Sequence, residues 1–326
     1  MTALRRAVLL AGLAPLASAC APSGTTAPTA TTAPTATTAA PAAPAHDGDP
    51  RTPDAAILCS SCAEWNRPHE PFKLFGNTYY VGPAGLSSVL ITTSKGLVLL
   101  DGGLPQSAAV IDANIRKLGF RTQDIVLIAN SHAHFDHAGG IAALQRLSGA
   151  RVVASASGAQ AIEHGEPVAT DPQYQSGHDQ KRRFTAVPHV EVVADGQALT
   201  VGDTTITAHL TPGHTPGSTT WTWRSCEAAR CVDVVYADSL NPVSDDGFRF
   251  GADPGVVAAF RTSITTIDHL PCDLIVAVHP GFTGLDDKLA ARARGVTPDP
   301  FLDRNGCHAY AADATQKLTK RISDEH

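Results

Sequence analysis

Methionine occurs once, at position 1, and aromatic residues make up only 6% of the 326-residue chain. Charge is sparse as well: 17% of residues are charged, the net charge is -6, and lysine and arginine gather into no run long enough to make a basic face. Phosphate backbones are gripped by a basic face, so this balance argues against nucleic acid as a partner. Long apolar runs are also missing. The longest, Ala7 to Ala19, is broken by Gly12 and Pro15, and falls short of the ~20 residues a spanning helix needs. No serine is followed three residues later by lysine, and no Gly-x-Ser-x-Gly elbow occurs. Two common signatures of a serine nucleophile are thereby absent.

The apolar run has a different use. It follows Arg5 and Arg6 and ends in the small residues Ala17-Ser18-Ala19, the pattern of a secretory signal. The chain is therefore expected to be exported to the periplasm. Cys20 stands directly after that site, as in a bacterial lipoprotein signal, where this cysteine is lipidated. An ordinary signal peptidase cutting at the same bond is the alternative. Cysteine parity bears on the choice. The chain has 7 cysteines, and exported proteins seldom leave a thiol unpaired. Without Cys20 there remain Cys59, Cys62, Cys226, Cys231, Cys272 and Cys307, which can pair completely. Nearest-neighbour pairing is the simplest of the possible connectivities. Residues 21 to 45 contain only Ala, Pro, Ser, Gly and Thr, with Thr-Thr-Ala-Pro-Thr-Ala repeated at 25 and 31. Such a segment has no large apolar side chain to bury and reads as a solvated spacer. The expected division is a signal over 1–19, a lipidated cysteine and spacer over 20–50, and a catalytic domain over 51–326.

Beyond residue 58 the pattern is that of a folded α/β domain. Strands are expected at 88–93 and 97–101, joined by the hairpin signal Ser94-Lys95-Gly96. A helix follows from Pro105 to Leu118, closed by Gly119. Then come an apolar strand over 125–129 and a helix over 140–147. Further strands are expected near 199–201, 204–210, 220–223 and 232–237. A helix over 254–270 carries the apolar stripe Val256, Val257, Phe260, Ile264, Ile267 and Leu270, which marks a core face. A buried strand over 274–278 and a helix over 308–322 complete the reading. Alternating strands and helices indicate a layered α/β fold.

The chemistry is concentrated in His132-Ala133-His134-Phe135-Asp136-His137-Ala138-Gly139-Gly140, where a buried strand ends and a helix begins. Three imidazoles and a carboxylate in six positions are costly to assemble unless a cation holds them. They are the donors expected of zinc in a site with an open position. His132 and His134, two apart in extended chain, can point the same way. Asp136 and His137, adjacent at a turn, can diverge toward a second ion. His214, in the proline-stiffened loop Thr211 to Ser218, and His279, at the end of the 274–278 strand, sit in matching contexts. The other nine of the 14 histidines, among them His164, His178, His189 and His209, read as structural or surface residues.

His-x-His-x-Asp-His, the later His214, the segment Tyr236-Ala237-Asp238-Ser239-Leu240 and the strand-end His279 together resemble the metallo-β-lactamase superfamily, and within it the subclass B3 β-lactamases. The similarity runs from about Asn77 to the C-terminus. It implies a four-layer αβ/βα sandwich and two zinc ions, one held by His132, His134 and His214, the other by Asp136, His137 and His279. It also implies a metal-bound hydroxide as nucleophile, oriented by Asp136, attacking a β-lactam amide. Ser239 stands where B3 enzymes have serine and where many other relatives carry a metal-bridging aspartate; Asp238, one residue earlier, keeps that alternative open. Ser239 is expected to bind substrate, and Asn241 stands where B3 enzymes often have a second serine. The pair Cys272 and Cys307 matches a disulfide common in that subclass, and Cys226 with Cys231 resembles one found in some members. Cys59 and Cys62 are not carried over from the family as a whole; a redox or metal motif is one alternative, and in an exported chain the pair reads as an N-terminal structural staple. Other superfamily members cleave thioesters, lactones or phosphodiesters, so a different hydrolase is one alternative. A non-catalytic zinc-binding lipoprotein is another. No protein partner is implied.

Overall fold

A computed structural model describes residues 52–325 of the chain. The stretches expected to be signal, lipidated cysteine and spacer lie outside the described residues. A seven-stranded sheet has the order β1-β2-β3-β4-β5-β6-β7, with β1 (Phe72–Phe75), β2 (Thr78–Tyr80), β3 (Val89–Thr93), β4 (Gly96–Leu100), β5 (Ile125–Ala129), β6 (Arg151–Ala154) and β7 (Glu191–Val192). β1 to β4 pair antiparallel and β4 to β7 parallel. A five-stranded sheet has the order β12-β11-β10-β9-β8, with β8 (Ala198–Val201), β9 (Thr204–Leu210), β10 (Thr219–Glu227), β11 (Arg230–Ala237) and β12 (Leu274–Ala277). Of its pairs, only β11 with β12 is parallel.

Side-chain alternation decides how these sheets stack. In a strand, successive residues face opposite sides. Val98 and Leu100 of β4 join a core with Val234 and Tyr236 of β11 and Leu274 and Val276 of β12, so this core lies between the sheets. Leu97 and Leu99 of β4 point the other way, to a core shared with Ile111, Ile115, Ile141 and Leu144. Val235, Ala237, Ile275 and Ala277 point outward from the second sheet to Phe260, Ile264, Ile267 and Tyr310. Strands buried on both faces have continuous apolar sequences, which is why 97–100 and 274–277 lack alternation; 125–129 is buried except at Val126. Three cores between four layers form the α/β sandwich expected from the sequence.

The helices follow the same order. α1 (Cys62–Trp65) precedes the first sheet, and α2 (Ser107–Lys117), α3 (Phe135–Ala138), α4 (Ile141–Ser148), α5 (Ala156–His164) and α6 (Tyr174–Gly177) lie among its crossovers. α7 (Pro254–His269), α8 (Leu285–Ala293) and α9 (Gly306–Asp324) belong to the second half. Elements seen here without a sequence expectation are β1, β2, β6, β7, β8's first residue and the helices α1, α3, α5, α6 and α8. In α8 a single residue, Leu285, is buried, so there is no apolar stripe to read. For α5 the signals existed: Ser155 accepts from the Gly158 amide at 3.2 Å, and Gly165 closes the helix in the left-handed conformation. The cysteines are brought together as 59 with 62, 226 with 231 and 272 with 307, at S–S separations of 2.11, 2.03 and 2.11 Å.

Candidate active site

The five histidines and Asp136 all arrive from strand ends at one edge of the sandwich. His132 to His137 follow β5, His214 lies between β9 and β10, and His279 follows β12. Asp101, directly after β4, builds the turn that carries the motif. Its carboxylate accepts from the Ser131 amide at 2.7 Å, the Ser131 hydroxyl at 2.6 Å, the Asn130 amide group at 2.9 Å and the Tyr236 hydroxyl at 2.9 Å. Burial pushes its pKa up to about 6, against the pull of His137 and of the Ser131 hydroxyl. His134 is the residue from which α3 starts, and its carbonyl accepts the amides of His137 and Ala138 at 3.0 and 2.8 Å. Gly140 is held against this turn by close approach: a β-carbon there would run into the Gly102 carbonyl oxygen.

Two groups of donors result. His132, His134 and His214 have ring centroids 4.8 to 5.0 Å apart, and one ligand atom from each lies within 4.8 Å of the others. Asp136, His137 and His132 satisfy the same spacing. His279 reaches this second group through Asp136: Oδ2 of Asp136 lies 3.3 Å from Nε2 of His137 and 3.4 Å from Nε2 of His279. The sequence reading grouped Asp136 with His137 and His279. The structure keeps that trio in contact and adds His132 as the neighbour common to both groups.

Each imidazole but one spends its outer nitrogen on a fixed partner. Nδ1 of His132 is 2.6 Å from Asp238 Oδ1, Nε2 of His134 is 3.1 Å from Asp171 Oδ2, Nδ1 of His214 is 2.8 Å from the Asn241 carbonyl, and Nδ1 of His279 is 3.1 Å from the Gly85 carbonyl. Such a contact fixes which nitrogen carries the proton and leaves the other bare. Among the described residues, Nε2 of His132 and both ring nitrogens of His137 are buried without a hydrogen-bond partner. A buried polar atom left unpaired costs about 1–3 kcal/mol, so Nε2 of His132 and Nε2 of His137, the latter facing Asp136, fit a metal ion that would use them. Nitrogen and carboxylate donors are those of zinc.

Protonation divides the same residues. Burial and the neighbouring imidazoles hold His132 well below the ordinary histidine range and lower His214 to about 3. Burial also opposes charge on His134 and His137, but Asp171 and Asp136 respectively overcome it and raise both. Asp136 is kept well below the carboxylate range, burial notwithstanding, by His137 and His279.

The site opens into a cleft of about 550 Å³, whose wall includes Trp65, Phe135, Gln173, Ser239, Asn241 and Phe282. Ser239 and Asn241, singled out from sequence for substrate, thus both border it. Asn241 has a second task unseen in the sequence, since its backbone carbonyl orients His214. Asp238 turns away from the cleft, behind His132. Asp171, Asp101 and Gly85 were not anticipated as parts of the site. His164 and His178 are exposed on the surface, and His209 bonds Thr222 at 2.9 Å.

The chain belongs to the metallo-β-lactamase superfamily, whose family model matches residues 81–279. Among solved structures it is similar to the Rm3 metallo-β-lactamase, at 48% identity with a TM-score of 0.79, over 82% of this chain and 99% of that one. It is also similar to MEM-A1, a subclass B3 metallo-β-lactamase from a soil metagenome library, at 44% identity and TM-score 0.76, over 80% of this chain and 98% of that one. A hydroxyacylglutathione hydrolase of Anaeromyxobacter dehalogenans is 30% identical over 193 residues, covering 59% of this chain and 59% of that enzyme. A second, from Maricaulis maris, is 36% identical over 94 residues, 28% of this chain and 27% of that enzyme. The chain therefore spans less than two thirds of these curated relatives.

Proposed function

We propose that the chain is a zinc-dependent β-lactamase of the subclass B3 type, hydrolysing the ring amide of penicillins, cephalosporins and carbapenems. The observation that carries this reading is the placement of Asp238 and Ser239. Asp238, which could have been a metal-bridging aspartate, is engaged behind His132 at 2.6 Å, while Ser239 borders the cleft. The extent of similarity supports it as well, since it covers nearly the whole of the β-lactamases but little more than half of the hydroxyacylglutathione hydrolase.

In this reading His132, His134 and His214 hold one zinc ion, and Asp136, His137 and His279 hold a second. Zinc, when bound, supplies Lewis-acid polarisation of a carbonyl and lowers the pKa of coordinated water to about 7. The chain's own residues do the rest. Asp136 stays ionised at neutral pH, so Oδ2 is an acceptor that can orient a water proton. The Ser239 hydroxyl and the Asn241 amide offer hydrogen-bond donors to a substrate carboxylate. Trp65, Phe135 and Phe282 present apolar surface to the body of the substrate. The same proposal includes export to the periplasm and a lipid anchor at Cys20, which the mass of the mature N-terminus tests.

The deciding experiment offers zinc-loaded protein a chromogenic cephalosporin, a thioester and a lactone, with and without chelator. Chelator-sensitive cephalosporin turnover is expected. Turnover of the thioester or lactone alone would replace the substrate assignment, and inactivity on all three would favour zinc sequestration.

A further inference from the structure

The Cys59-x-x-Cys62 pair stands on the rim of the cleft, where Cys59, Ser60, Ser61, Glu64 and Trp65 form part of the wall. The disulfide closes the turn from which α1 begins. Two backbone bonds zip this turn to the segment before β3: the Gly85 amide donates to the Trp65 carbonyl at 3.0 Å, and the Ala84 amide donates to the Arg67 carbonyl at 2.8 Å. The carbonyl of that same Gly85 accepts from Nδ1 of His279 at 3.1 Å. The Trp65 ring adds a direct contact, its centroid 5.2 Å from that of His279.

Position 85 has no room for another residue, because a β-carbon would lie 2.6 Å from Cα of Trp65. The segment's other end is held independently by Ser87, whose amide and hydroxyl donate to the carbonyls of Val278 and Ala277 at 2.8 and 2.6 Å. Residues 85 to 87 therefore form a bridge with one end on β12 and the other on the disulfide-closed turn. His132 and His134 lean on buried carboxylates; His279 leans on this bridge.

We propose that the disulfide-closed turn over residues 59–65 is a positioning device for His279, acting through Gly85, and that it sets the affinity of the metal position to which His279 belongs. The inference rests on the assignment of His279 as a ligand. Its mechanism is orientation: with the turn released, the Gly85 carbonyl loses one of its two anchors and the imidazole loses a fixed direction. Removing the partner of a ligating imidazole lowers metal affinity by about 10–100-fold, and weakening one through its support should fall at the lower end, about 10-fold.

The test uses metal-free full-length protein titrated with zinc against a chromophoric chelator, with cobalt substitution as an optical report on ligand geometry. Variants are Cys59→Ser with Cys62→Ser, and Gly85→Ala, which attacks the same contact from its other side. Both should weaken one zinc equivalent about 10-fold, leave the other within about 2-fold and alter the cobalt spectrum. His279→Ala should weaken the same equivalent more strongly; if it does not, the ligand assignment fails rather than the device. Should Gly85→Ala fail to fold, the serine pair carries the test. Wild-type affinities and spectrum in that pair, or equal loss at both positions, would overturn the proposal.

Discussion

Asp238→Ala probes whether the metal centre is tuned from behind. The Asp238 and His132 side chains are fully buried and meet at 2.6 Å. Without this acceptor the His132 proton is free to move to Nε2, the nitrogen that must be bare to bind a metal. A hydrogen bond to a charged group contributes about 1.5–3 kcal/mol, which at about 1.4 kcal/mol per tenfold corresponds to roughly 10–150-fold in zinc affinity. The main chain at 238 has its own anchors: its amide donates to Thr220 Oγ1 at 3.2 Å and its carbonyl accepts from the Tyr310 hydroxyl at 2.8 Å. Burial already raises the carboxyl pKa, so removing the group also relieves a cost. The metal-free variant should therefore melt within ~4 °C of the parent, the shift of about 1 kcal/mol in a chain of this size. Asp238→Asn, which keeps an acceptor without the charge, should fall between. Zinc affinity is read by chelator competition and folding by thermal circular dichroism. Wild-type zinc binding by Asp238→Ala would show that the contact does not set the tautomer.

The residues of the candidate metal site were legible in the sequence and their supports were not. His132, His134, Asp136 and His137 crowd one turn, so their cost is visible without a fold. His214 and His279 needed a context, a strand followed by a stiff loop, but that context is local too. Asp171, Gly85 and the Asn241 carbonyl act across 37, 194 and 27 residues of chain, and none belongs to a pattern of its own. Asp171 lies in a loop without periodicity. Position 85 must be glycine because Trp65 packs on it, a contact no local pattern shows. The strands announced themselves by apolar runs, yet β1 and β2 are short and partly exposed at Phe72, Lys73 and Tyr79, and left no run to find. The layer arrangement likewise needed facing partners: adjacent residues in β4 enter different cores, which a contiguous Leu97-Val98-Leu99-Leu100 cannot reveal.

Asp101→Ala should cost roughly 3 kcal/mol, because it strands buried donors from Ser131 and Tyr236, and should lower the melting temperature by about 6–12 °C; an unchanged melt would deny the turn its keystone. Replacing Cys272 and Cys307 by serine should destabilise by up to about 4 kcal/mol, against about 2 for Cys226 and Cys231, since the longer closed loop restricts the unfolded chain more. Denaturant titration of the two variants would reverse that order if native packing, not loop closure, dominates. The pH dependence of metal binding follows from the divided protonation. His134 and His137 have raised pKa values, so in metal-free protein they hold a second ring proton to higher pH than an ordinary histidine, whereas His132 and His214, both lowered, are neutral with a single ring proton. Ligation requires neutral imidazoles and displaces those protons. Affinity must then fall as pH falls, and the fall should begin above 6.5, the ordinary histidine value, because the two groups that must lose protons are the two with raised values. Asp171 is the largest raising influence on His134, so Asp171→Asn should shift the onset to lower pH even as it weakens binding. Calorimetric zinc titrations in buffers of different ionisation heat measure the protons released at each pH. Affinity that stays level from pH 8 to 6.5, with no proton release, would mean that the carboxylates do not hold His134 and His137 in their charged form.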